Sequence, residues 1–157
     1  MDSDLITSVP VNRRCIIYCA PMPPPFGGFS LASQNMATHL ETNGYSLRIL
    51  NRSTKLRGFS VYKYIVSSLL LFAQLLLRRE FQCLMYVQLS GGYGQVMDLL
   101  LMALFSPFFR KIIIHHHSFS YAKNPRLLTR IVFSIPKPIA HVCQCDHMIS
   151  LLKANYP

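Results

Sequence analysis

The sequence predicts an α/β domain: a three-layer arrangement in which a mostly parallel sheet of about five or more strands carries helices on both faces. Three observations lead there. Short apolar runs alternate along the chain with stretches of helical period, the pattern of strand–helix repeats. The runs are continuously apolar, as in CIIYC and CLMYV, which suits strands buried on both faces. Glycine and proline then punctuate the ends of the runs.

Residues 1–14 form a polar lead-in that opens on acids and lacks the apolar segment of a secretory leader. Residues 15–157 make a single domain. The first strand is 15–19. Residues 20–30 cannot be regular, because Pro21, Pro23, Pro24 and Pro25 precede the pair Gly27-Gly28. Ser30 is the expected N-cap of a helix whose inner face is Leu31, Met36, Ala37 and Leu40, with Gly44 as its stop. A second strand spans 45–51, a basic loop 52–58, and a long helix 59–80. The third strand is 81–89, followed by a second Gly-rich turn at 90–94 and a helix over 95–105. The fourth strand, 111–117, leads into a loop at 118–125 and a short helix at 126–135. A fifth strand at 139–145 and a helix at 146–154 complete the order.

Composition narrows the function. The chain has 157 residues, 51% of them hydrophobic, so it can bury a sizeable core. Its five cysteines are an odd number set mostly in apolar runs, which reads as reduced core residues of a cytoplasmic protein. Sixteen Lys and Arg face six acids, a net charge of +10, which favours anionic partners such as phosphorylated ligands or acidic lipid. The bases are scattered and accompany no nucleic-acid-binding motif, so no specific nucleic-acid partner is expected. So few acids also argue against hydrolysis by paired carboxylates. Residues 64–77 carry no charge, but they fall short of the ~20 residues of a membrane span. That helix either covers the sheet, the preferred reading, or rests on an anionic bilayer surface.

In parallel sheets ligands sit at the carboxyl ends of the strands. Here those ends are Gly27-Gly28, the run Ser90, Gly91, Gly92, Tyr93, and His115-His116-His117. A Gly-rich loop entering a helix suits a phosphate, because backbone N–H groups can approach it closely; a bare Gly-Gly pair fits an ordinary turn as well. Alternation places His115 and His117 on one face and His116 on the other. They therefore do not form a local three-ligand site, and no metal is expected. The run from His141 to His147 reads as strand side chains followed by a helix start at Asp146.

Three segments in this order, PMPPPFGGFS, KIIIHHHSFSY and AHVCQCDHMISLLKANYP, resemble the N-terminal, acceptor-side domain of family 4 glycosyltransferases of the GT-B fold. The resemblance implies a Rossmann-like domain facing a second one across a cleft. It implies sugar transfer from a nucleotide-sugar, usually with retention, in cell-envelope polysaccharide synthesis. By the same resemblance Gly27 and Gly28 approach the donor diphosphate, and one histidine contacts the donor sugar: His117 first, His116 second. Ser90, Gly91, Gly92 and Tyr93 then line the acceptor side. Ser118 stands where the family often has Asp or Asn.

The family's nucleotide-sugar-binding domain, with its Glu-x7-Glu pattern, is not in these residues. The expectation is a chain inactive alone, with the second domain needed in cis or in trans as partner. No tightly bound cofactor is implied; the nucleotide-sugar is a substrate, and the acceptor a glycan or lipid-linked molecule. A weak association with the inner face of the cytoplasmic membrane is expected. So is an exposed aromatic patch around Phe26, Phe29, Tyr93, Phe119 and Tyr121. The alternative is a noncatalytic membrane-associated or phosphate- or nucleotide-binding module on the same fold.

Overall fold

Strand β1, Cys15–Ala20, is apolar on both sides, and the fold uses both sides. Ile16, Tyr18 and Ala20 enter one core, Ile17 and Cys19 the other, and none is more than 2% exposed. The computed structural model describes residues 15–53, 57–78, 83–92, 94–135 and 138–156; the lead-in of residues 1–14 and Tyr93 lie outside them. After β1 come α1 (Gly28–Thr42), β2 (Ser46–Asn51), α2 (Arg57–Arg78), β3 (Cys83–Leu89) and α3 (Gly94–Phe105). There follow β4 (Phe109–His116), α4 (Phe119–Lys123), α5 (Leu127–Phe133), β5 (Ile139–Cys143) and α6 (Asp146–Asn155). All the strands pair in parallel, in the order β2-β1-β3-β4-β5. This is the predicted Rossmann-like α/β architecture.

The smaller core packs Ala37 of α1 against Ile16, Tyr18 and Tyr86. The larger core draws on the other helices, through Leu75 of α2, Met102 and Phe105 of α3, Val132 of α5 and Met148 of α6. Each such side chain, fully buried, contributes roughly 1.5–3 kcal/mol of transfer free energy. Because β1 feeds β2 on one side and β3 lies on its other side, the switch in strand order falls between β1 and β3. The crevice at a parallel sheet's carboxyl edge opens there.

Local chemistry moved several boundaries. Helix α1 begins at Gly28, so Ser30 is not its N-cap but its third residue. The Ser30 hydroxyl instead accepts from Gly27 N at 3.0 Å and donates to Pro25 O at 2.8 Å, tying the proline loop to the first turn. Leu31, expected inside, is 43% exposed, because the face of α1 turned to the sheet is Ser30, Ser33 and Ala37. The expected loop at 118–125 contains α4, capped by Ser118 Oγ accepting from Ser120 N at 3.2 Å. That turn carries Tyr121 fully into the core and leaves Phe119 half-buried against it, so neither belongs to an exposed aromatic patch; of the expected set Phe26 and Phe29 are exposed, at 76% and 39%. Among the described residues no helix is long and apolar enough to cross a membrane.

Candidate functional site

A cavity of about 320 Å³ opens at the carboxyl edge, where α1, the end of β3 and the end of β4 meet. Gly28, Phe29 and Ala32 form one wall, Leu89, Ser90 and Gly91 a second, and His117, Ser118 and Gln144 a third. The three predicted loops therefore do converge. Gly28, Ser90, Gly91 and His117 line the cavity, and Gly27 is the N-cap of α1 beside it. Gly92 closes the turn after β3 with a φ of 66°, a conformation that favours glycine.

His116, the second histidine candidate, is not brought to the cavity. It points to the opposite face and is fully buried. Its Nδ1 lies 3.0 Å from the Tyr121 hydroxyl and its Nε2 lies 2.9 Å from His141 Nδ1, with the Phe133 ring edge-on to both imidazoles. Burial, followed by the neighbouring His141, pushes its pKa down to about 3. His116 is thus a neutral structural bridge between β4, β5 and α4. Alternation makes this unavoidable: if His117 faces the cavity, His116 cannot.

His117 packs edge-on against Phe29 at 4.5 Å, and its ring lies tilted against that of His115 at 3.9 Å between centres. The Gln144 amide donates to its Nδ1 at 3.0 Å, which puts the imidazole proton on Nε2. That Nε2 is buried with no hydrogen-bond partner among the described residues. Burial first, then His115 and Arg52, lower the pKa of His117 to about 4. At neutral pH the site therefore holds an uncharged imidazole with a spare donor, suited to a hydroxyl or other acceptor. His115, deeper on the same face, is hydrogen-bonded to the Tyr86 hydroxyl.

The glycines differ in what they do. A Cβ on Gly27 or Gly28 would meet nothing within 4 Å, and Gly27 is extended at a φ of −161°. Neither backbone strain nor packing within the protein requires glycine there. By contrast a Cβ on Gly94 would lie 2.7 Å from Ser90 Cβ. Gly94→Ala should therefore cost about 1–3 kcal/mol by overpacking, while Gly28→Ala should leave stability unchanged or slightly raised. Urea unfolding of the two variants checks this; equal midpoints would refute the contrast.

The floor of the site rests on groups that the sequence did not single out. Arg52, just past β2, donates to Asp98 Oδ1 of α3 and to the Gln88 carbonyl, and reaches Ser90 Oγ at 3.1 Å. Asp98 Oδ2 accepts from Ser90 N at 2.7 Å. This pair, 10% and 1% exposed, holds the Ser90 turn to the ends of β2 and β3. Alongside it, Gln88 Nε2 donates to the Tyr18 hydroxyl at 3.1 Å and Gln88 Oε1 accepts from Ser33 at 2.7 Å, locking α1 to the sheet. One signal in the sequence pointed at Asp98: it is the sole acid in the apolar run 94–105. Among the described residues no cluster of three or more His, Cys, Asp or Glu side chains is placed to hold a metal ion. Comparison of the chain with protein-family models, with curated proteins and with solved structures finds no match.

Proposed function

We propose that this domain forms the acceptor-side wall of a sugar-transferase cleft, sharing a nucleotide-sugar donor with a second Rossmann-like domain supplied in cis or in trans. The observation that carries the reading is the cavity at the strand-order switch, where Gly28, Gly91 and a neutral His117 face one space. Gly27 and Gly28 leave open room over the first turn of α1, whose N–H groups and dipole favour an anion such as a diphosphate. In this reading His117 Nε2–H, buried without a partner among the described residues, donates to a sugar hydroxyl, and Ser90 and Gly91 line the acceptor side. In the transfer, the bond from the anomeric carbon to the diphosphate oxygen breaks as an acceptor hydroxyl bonds to that carbon and passes its proton to the departing diphosphate. The departing diphosphate takes the bonding pair, and the second domain supplies most of its charge stabilisation. Retention of configuration, a glycan or lipid-linked acceptor, and work at the inner face of the cytoplasmic membrane complete the proposal, by resemblance to family 4 enzymes.

The test is sugar transfer from labelled nucleotide-sugars by the chain alone and by the chain joined to, or co-expressed with, a nucleotide-sugar-binding domain. Transfer is expected only in the second case. Gly28→Val should then weaken donor binding and slow the reaction with the fold intact. His117→Ala should lower turnover about 10²-fold, as loss of one transition-state donor does, with a smaller effect on donor affinity. His115→Ala should act through stability. If Gly28→Val and His117→Ala keep full activity while His115→Ala abolishes it in a folded protein, the site is misplaced. Binding of a free nucleotide by the chain alone, without transfer in either format, would favour the noncatalytic phosphate-binding alternative.

A further inference from the structure

The chain bears a net charge of +10, yet its cavity is lined by uncharged groups. Among the described residues on its walls the one titratable group is His117, and burial keeps that ring neutral. The nearby cation, Arg52, is spoken for. It is 10% exposed, paired with Asp98, and donates to the Gln88 carbonyl and to Ser90 Oγ. A basic protein has thus kept its bases out of this space.

The lining has two characters. Phe29, Ala32 and Leu89 present hydrocarbon, whereas Ser90, Ser118 and Gln144 present hydroxyls and an amide. Phe29 stands out among them. It is the second residue of α1, its ring is 39% exposed, and the ring meets His117 edge-on at 4.5 Å. An aromatic side chain left open to water at the wall of a cavity offers a flat apolar surface to a ligand. A pyranose has the complementary build, with C–H bonds across its ring face and hydroxyls around its edge. The volume, about 320 Å³, lies at the small end of ligand pockets and suits one such ring rather than a longer glycan.

Charge then decides which sugars fit. The first turn of α1 is the one part of the wall that favours an anion, and in the proposed reaction the donor diphosphate takes it. A carboxylate on the sugar would be a second anion in the same small space, taken out of water with no cation to meet it, which is strongly disfavoured. We infer that the site selects an uncharged hexose over the corresponding uronic acid, with Phe29 as the platform for the sugar's C–H face. The inference rests on the sugar-transfer reading for the presence of a sugar, and adds the charge class of that sugar and the side chain that stacks on it.

The experiment is saturation-transfer NMR on the full chain with D-glucose and D-galactose, each beside its uronate and its uncharged uronamide. At least one hexose and its uronamide should bind, and the matching uronate should bind about tenfold more weakly or worse. Uronate and uronamide share a shape, so the comparison isolates charge. Phe29→Ala should weaken hexose binding about fivefold, and Phe29→Tyr, which keeps the ring, should restore it. Because Phe29 is exposed, both variants should melt with wild type. Ala32→Lys, which sets a cation in the wall, should raise uronate binding about tenfold. No binding of either hexose, a uronate binding as tightly as its hexose, an unchanged affinity in Phe29→Ala, or continued exclusion of uronate by Ala32→Lys would each overturn the inference. In the two-domain format, a uronosyl group transferred as fast as the matching hexosyl group would overturn it and leave the transfer reading in place. Hexose binding with this selectivity, but no transfer in either format, would do the reverse.

Discussion

Asp98→Ala should destabilise the domain by about 3–5 kcal/mol, the loss expected when one partner of a buried ion pair is removed. A typical domain holds only about 5–15 kcal/mol in total, so this one substitution should bring it to the edge of unfolding. The cause is specific. Arg52 is 10% exposed and would keep its charge with no carboxylate beside it. Ser90 N would also lose its acceptor, loosening the turn that forms one wall of the cavity. Asp98→Asn should fall between, since an amide oxygen can still accept from Ser90 N but carries no charge. Combining Arg52→Met with Asp98→Leu should recover much of the loss, because removing both charges spares the desolvation cost of each. Urea unfolding of the four proteins checks this, and an Asp98→Ala midpoint equal to that of wild type would refute it.

The second large effect is acid lability. His115, His116, His117 and His141 all have pKa values below the ordinary 6.5, chiefly because burial disfavours the imidazolium. The folded values lie below the unfolded ones, so above about pH 6.5 neither state holds the extra protons and stability is at its full value. As pH falls below that, the unfolded chain takes up protons that the folded chain excludes, and stability declines. The decline continues until the folded groups titrate, at about 4 for His117 and about 3 for His116. Fully buried His116 alone sets a slope near 1.4 kcal/mol per pH unit; the three more exposed rings add less. From pH 7 to pH 5 the melting temperature should drop by about 5 °C or more. Replacing His116 with Gln, which cannot titrate here but can still bridge Tyr121 and His141, should remove about one proton from the slope of stability against pH. An unchanged slope in that variant, or flat stability over this range in the wild type, would show that these rings are not excluding protons.

Acidification should release β5 first. It is the one strand of the described sheet with no buried residue, His141 and Val142 being exposed, and it is an edge strand held on one side only. The His116–His141 bridge joins it to β4 across the same face, and two imidazoliums cannot share that hydrogen bond.

The element order, the parallel sheet and the three loops at its carboxyl edge were legible in the sequence, because apolar period and Gly/Pro punctuation are local properties. So was the opposition of His116 to its neighbours, which follows from the two-residue repeat of any strand. Which of the two faces carries the cavity was not local. It depends on strand order and on where α1 packs, and that order assigned the space to His117 and the core to His116. The inner face of α1 was misread for a related reason. Leu31 looked like a core residue, but the sheet beneath α1 offers Gln88 and Tyr18, and these select Ser33.

The Arg52–Asp98 pair lies still further from what a sequence can reveal, since its members stand 46 residues apart. Residues 94–105 read simply as an apolar helix with one odd acid. Only the packed structure turned that acid inward, because Arg52 was waiting at the end of β2, and so left Leu100 and Leu104 of α3 outward. Local patterning determined what each segment of this chain is. The pairing of distant charges, which burial makes too costly to leave unmatched, decided how each segment is rotated, and with that which surfaces are left to meet something else.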